Sequence, residues 1–143
     1  MKFDAKKAEE LLETFALKKT KPRISLLNLL LKASSPLSAN SIFKKLANDN
    51  PDKVTIYRTL DALEESGVIK KVHTGEREAK YEINNSADDH HHIICLKCKK
   101  IVDFSGCDAD GLIKKALAQT KEFKNITHHS FDLFGICLKC GDK

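Results

Sequence analysis

The chain has 143 residues, 41% of them hydrophobic and 31% charged, with a formal net charge of +5. That length accommodates one ordinary domain or two small ones, and no apolar run approaches the roughly 18 residues of a membrane helix. The opening "MKFDAKKAEELLETF" is charged and amphipathic, unlike a secretory leader, so a cytoplasmic protein is expected.

Helical periodicity comes first. "DAKKAEELLETFA" sets Ala8, Leu11, Leu12 and Phe15 on one face, and "PRISLLNLLLKA" opens with Pro22, which suits a first helical turn. Between these two runs lies "LKKTKPR", where Lys18, Lys19, Lys21 and Arg23 meet little opposing charge. Residues 1–86 carry 16 Lys and Arg against 12 Asp and Glu, whereas residues 87–143 carry 9 against 8. A basic region poor in aromatics favours duplex nucleic acid over single strands, which need stacking platforms.

A third helix, "SANSIFKKLAND", follows a Ser38 cap and buries Ile42, Phe43 and Leu46. A fourth, "VTIYRTLDALEESG", faces inward with Ile56, Leu60 and Leu63 and ends at Gly67, suited to a left-handed cap. "VIKKVH" and "AKYEI", joined by "TGERE", read as a two-stranded hairpin. Helices followed by a hairpin describe a winged helix-turn-helix, whose recognition helix lies in the major groove. Thr55, Tyr57 and Arg58 then face DNA, with Lys18 and Arg23 flanking. The alternatives are a surface ion pair from Arg58 to Asp61 or Glu65, and a packed core edge for Tyr57.

"NNSADD" reads as a linker over about residues 84–89, separating a first domain, 1–84, from a second, 85–143. In the second, "HHIIC" and "KIVDF" read as strands, "DADGLIKKALAQTKEF" as a helix and "ITHHSFDLFGIC" as a long strand. Cys95/Cys98 and Cys137/Cys140 form two CxxC pairs. Four thiolates so spaced suit a closed, tetrahedral structural zinc, the alternative being two disulfides.

The histidines need a separate role, because a four-sulfur site has no use for them. Side chains alternate along a strand, so His90 and His92 point one way and Asp89 and His91 the other. Glu82 and Asp103 can complete the first group, Asp110 and His129 the second. Nitrogen and oxygen ligands together suit iron, manganese or zinc. A polar strand facing water is the plainer alternative. Cys107 reads as a small buried hydrophobe, with a redox thiol or an extra ligand as the other options.

The chain resembles the ferric uptake regulator (Fur) family of metal-responsive repressors over nearly its whole length. "VTIYRTLDALEESGVI" is similar to the family's recognition helix, "HHHIICLKCKKIVDF" to its histidine-rich CxxC segment, and "THHSFDLFGICLKC" to its closing strand and second CxxC. The resemblance implies an α+β chain: an N-terminal winged helix-turn-helix that binds an operator in double-stranded DNA, then a small α/β dimerisation domain with a four-cysteine zinc site. It implies a homodimer and assigns Cys95, Cys98, Cys137 and Cys140 to structural zinc. Glu82, His90, His92 and Asp103 match most of the regulatory site, and Asp89, His91, Asp110 and His129 an additional one. One departure stands out. Iron- and peroxide-sensing members place a histidine before the third helix, where this chain reads "SSPLSANSIF". Zinc-sensing members tend to place a cysteine near residues 82–84 and another ligand near Lys70, and this chain has neither. The second divalent metal is thus iron(II), manganese(II) or zinc, with carboxylates favouring the first two.

Three other readings compete. A metal-dependent hydrolase would exploit an open metal among histidines and carboxylates, but no HExxH segment or deaminase pattern is present. A zinc-buffering protein would not need a recognition helix. A peroxide sensor falls within the family itself, through oxidation of iron-bound histidines.

Overall fold

In the computed structural model, which describes residues 2–85, 90–127 and 129–142, the chain divides into two units, residues 1–85 and 86–143. The first runs α1 (Lys2–Thr14), α2 (Lys21–Lys32), β1 (Leu37–Ser38), α3 (Ala39–Lys45), a 3₁₀ turn (Ala47–Asp49), α4 (Lys53–Glu65), β2 (Ile69–Val72) and β3 (Lys80–Ile83). The apolar stripes of its helices meet in one core, in which Leu12, Leu26, Leu27, Ile42, Ile56, Leu60 and Leu63 are fully enclosed.

Local chemistry sets the ends of these helices. The Ser38 hydroxyl accepts from the Ser41 amide at 3.1 Å and caps α3. The Asp52 carboxylate accepts from the Thr55 amide at 2.6 Å and caps α4. That bond holds the Asp52 carboxyl below its ordinary pKa. At the other end of α4, Gly67 has φ +86°, its amide bonds Glu64 O, and the Val68 amide bonds Leu63 O. This paired arrangement is the Schellman cap, and its left-handed residue favours glycine. The chain leaves it directly into β2.

The expected two-stranded hairpin is part of a three-stranded sheet, ordered β1-β3-β2 and antiparallel throughout. The extra strand is two residues long, too short for any alternation of polarity to show in sequence.

The second unit holds β4 (His90–Cys95), β5 (Ile101–Ser105), α5 (Ala109–Ala118), β6 (Asp132–Gly135) and the single helical turn α6 (Leu138–Gly141). Its sheet is ordered β5-β4-β6, with β4 antiparallel to β5 and parallel to β6. Two elements are shorter than their sequences suggest. The helix expected to reach residue 123 stops at Ala118, and the Thr120 hydroxyl then accepts from the Glu122 amide at 3.2 Å. Such a side-chain turn competes with further helix. The strand expected over 126–137 forms only over Asp132–Gly135. Parallel pairing sets His92 against Asp132, so a longer β6 would need partners upstream of His90, which lie outside the described residues.

No helix among the described residues is long and apolar enough to cross a membrane. Leu60 sits at the centre of the first core with no exposed surface. Leu60→Ala should therefore cost about 2–5 kcal/mol in urea denaturation of the first unit; a loss below about 1 kcal/mol would contradict this packing.

Candidate metal centres and nucleic-acid interface

The CxxC pairs come together because each is folded into a tight turn. Around the first, the Cys95 amide bonds Lys100 O and the Lys99 amide returns to Cys95 O, with Lys99 in the left-handed region at φ +63°. In the second, Cys137 caps α6, and the Cys140 and Gly141 amides both bond Cys137 O. The ligand atoms of Cys95, Cys98, Cys137 and Cys140 all lie within 4.8 Å of one another, and all five cysteines of the chain are free.

This arrangement fits a tetrahedral ion. Sulfurs about 2.3 Å from a tetrahedral zinc stand about 3.8 Å apart, and Cys98 Sγ and Cys137 Sγ are 3.7 Å apart. A disulfide would bring them to about 2 Å. The Cys137 amide points at Cys95 Sγ from 3.4 Å. That bond and a second from the Cys98 amide pull the Cys95 thiol down to about 6. The opposite happens at Cys140, where a hydrogen bond with Cys137, then burial and the other sulfurs, pushes the thiol up to about 12. Metal ligation takes the thiolate, so a cation seated among these sulfurs would offset the rise at Cys140.

The histidines divide as strand alternation requires. His92 is the central residue of a row spanning all three strands, with Asp103 of β5 and Asp132 of β6 directly opposite it. Its Nδ1 lies 3.2 Å from Asp132 Oδ1 and its Nε2 3.6 Å from Asp103 Oδ1. The side chain is almost entirely enclosed, while that of Asp103 is 57% exposed. The His90 ring stands perpendicular to it at 5.2 Å. In the first unit, Glu82 lies on β3 opposite Lys70, whose Nζ is 3.3 Å from the carboxylate. Asp132 did not emerge from the sequence. Its only signal is a lone acid in "SFDLFG", whose partner depends on the parallel register.

His91 points to the other face and is 4% exposed. Its Nε2 is 2.8 Å from Cys107 Sγ, which lies 3.6 Å from His129 Nε2. Cys107, half-buried, stands in a cluster of potential ligands with His91 and His129, the three ligand atoms within 4.8 Å of one another, and Asp110 is not in that group among the described residues. Asp110 lies exposed in the first turn of α5. Asp89 falls outside the described residues.

On the first unit, α4 presents Val54, Tyr57 and Arg58 outward, with Val54 57% and Tyr57 49% exposed, while Thr55 is half-buried. Tyr57 is thus a surface residue, not a core edge. Val54 joins Tyr57 on this face at i, i+3. Of the basic segment, Lys18 is exposed and its carbonyl accepts from Arg23 Nη1 at 3.0 Å. The neighbouring Lys19 ammonium is bound by Glu9 and Glu13, and these bonds raise its pKa. Lys19 is therefore tied to α1, and the cationic surface is smaller than its sequence suggests.

The model of the ferric uptake regulator family matches residues 14–134. The chain belongs to the ferric uptake regulator family. Among its relatives is the peroxide-responsive repressor PerR of Staphylococcus saprophyticus, 32% identical over 126 residues covering 87% of this chain and 82% of that protein. PerR of Staphylococcus aureus is 31% identical over the same coverage. The solved ferric uptake regulator of Francisella tularensis with iron superposes with a TM-score of 0.74 at 28% identity, over 89% of this chain and 96% of that one. The Vibrio cholerae Fur structure gives 0.71 at 26%, over 90% and 98%. The winged helix followed by an α/β unit is thus the Fur fold, and the chain is a metal- or peroxide-responsive, DNA-binding transcriptional regulator. The family's members are regulators, which sets aside the hydrolase and zinc-buffer readings.

The depressed pKa of Cys95 has a measurable consequence. In metal-free protein, ultraviolet thiolate absorbance should show a step near pH 6 that disappears in Cys95→Ser. A first step only above about pH 8, where an unperturbed thiol begins to ionise, would contradict the amide-bonded sulfur.

Proposed function

We propose that the protein is a metal-dependent repressor that acts as a homodimer in the cytoplasm, binding paired half-sites of a double-stranded DNA operator and controlling metal uptake or metal and peroxide homeostasis. The observation that carries this reading is the crowding of ligands on one strand. Six-residue β4 contributes Cys95 to the sulfur group, His91 to one face and His90 with His92 to the other. A regulator needs metals that stabilise structure and metals that report supply, and here both kinds of donor hang from the same backbone.

In this reading Cys95, Cys98, Cys137 and Cys140 hold a structural zinc, as their donor chemistry and spacing favour. His90, His92 and Asp103 take the sensed divalent ion, iron(II), manganese(II) or zinc, and the family pattern adds Glu82. Asp132 is a positioning residue: a proton on His92 Nδ1 is donated to it, which leaves Nε2 for the ion beside Asp103. The ion favours the DNA-competent state to the extent that it binds that state more tightly.

The homodimer is supported by an apolar row across the sheet of the second unit. Ile93 pairs with Val102 on one side and Leu133 on the other, and all three are exposed in the single chain. Monomers rarely leave such a patch uncovered. Tyr57 and Arg58 read base edges from α4, with Thr55 at its first turn, while Lys18 and Arg23 contact phosphates. The PerR relatives support a second reading within the same family, in which iron held at His90 and His92 makes those rings the target of peroxide.

Arg58→Ala should weaken binding to a cognate operator about tenfold or more, with less effect on random duplex, and leave the metal content of the protein unchanged. Equal weakening on both duplexes, or none, would remove α4 from base readout.

A further inference from the structure

We propose that His91, Cys107 and His129 form a thiolate-containing metal site that takes a borderline-soft divalent cation of the zinc class in preference to manganese or iron(II). This deepens the regulatory reading and rests on it only in treating the second unit as metal-handling.

The geometry supplies three donors of fitting type. Zinc bonds to sulfur at about 2.3 Å and to imidazole nitrogen at about 2.0–2.1 Å, which puts the two donors about 3.5 Å apart around a tetrahedron. His129 Nε2 stands 3.6 Å from Cys107 Sγ. His91 Nε2 stands closer, at 2.8 Å, in direct hydrogen-bond contact with the same sulfur. All three ligand atoms lie within 4.8 Å of one another. The imidazole rings are 5.2 Å apart and inclined at 48°, and both present Nε2 to the shared sulfur.

The surroundings suit a soft ion more than a hydrated one. Phe104 and Phe131 stand against His91 at 5.4 and 5.7 Å between ring centroids, and His91 itself is buried. A hard cation such as manganese(II) prefers oxygen ligands and water, whereas a thiolate with two imidazoles draws zinc or its cobalt(II) surrogate. The family pattern adds Asp110 to this group, whereas the donors gathered within 4.8 Å among the described residues are His91, His129 and the sulfur of Cys107. Cys107 also lies outside the four-cysteine group, so its thiol is not committed there.

The test uses the full chain carrying one zinc per subunit, titrated with cobalt(II). It reads the near-ultraviolet thiolate-to-cobalt charge-transfer band, with zinc retention followed by elemental analysis. The wild type should bind cobalt with that band while keeping its zinc, and Cys107→Ser should lose the band without losing zinc. A band that survives in Cys107→Ser, or cobalt bound in the wild type with no such band, overturns the proposal. A second variant guards against misfolding. Cys107→Asp, which swaps sulfur for oxygen, should lower the affinity for zinc relative to manganese roughly tenfold or more, and an unchanged ratio overturns the soft-site assignment. Operator binding is measured in the same wild-type samples. A Cys107-dependent band supports the site even where operator binding proves indifferent to metal, which would count against the regulator reading alone.

Discussion

Strand β4 is the constraint on which the second unit depends. A strand presents successive side chains to opposite faces, and a central strand has a neighbour on each side. Those two rules turn "HHHIIC" into a distributor of ligands. His92 receives a carboxylate from each flanking strand at the same level, His91 meets Cys107 and His129 behind the sheet, and Cys95 delivers its sulfur to the closing turn. A one-residue slip in register would exchange the two histidine faces and separate every donor from its partners. The apolar row of Ile93, Val102 and Leu133 would move with them, so ligand geometry and the proposed dimer surface are locked to the same pairing.

The two units reach stability by different means. In the first, four helices and a small sheet enclose a continuous apolar core, with side-chain caps fixing where α3 and α4 begin. In the second, Ile94 and Cys95 are the buried apolar residues among those described. So thin a core supplies little hydrophobic free energy, and small units of this kind commonly depend on a metal cross-link or a partner subunit. The four-sulfur group is placed to do this, since it joins the turn after β4 to the last helical turn of the chain. The donor sets also differ in softness, from four sulfurs, through one sulfur and two nitrogens, to nitrogen with carboxylate. On the proposed assignments, one short segment would offer cations donor sets of different chemistry.

Much of this was legible from residue patterns, and the remainder was not for identifiable reasons. Helical periodicity and the punctuation by Pro22, Ser38 and Gly67 locate the first four helices, because those signals are local. Strand parity separates His91 from His90 and His92 without knowledge of any partner. What parity cannot reveal is who stands opposite. Asp132 meets His92 only through a parallel pairing formed 40 residues away in sequence. Cys107 lies in a loop after β5, where no periodicity shows which way a side chain turns. The two-residue β1 is too short to carry a pattern. The basic segment is less cationic at Lys19 than its own residues suggest, because the neutralising acids belong to α1, a helix earlier in the chain.

If one strand anchors every metal group of the second unit, its backbone must respond to each ion that binds there. Amide hydrogen exchange at Ile93 and Ile94, followed as the metal-free full chain is loaded first with zinc and then with a second divalent ion, tests this most directly. Protection at both amides should rise at each loading step, together with that at their partners in β5 and β6. Protection that rises only around Cys137 and Cys140, with β4 unchanged by either ion, would contradict the anchoring role of the strand.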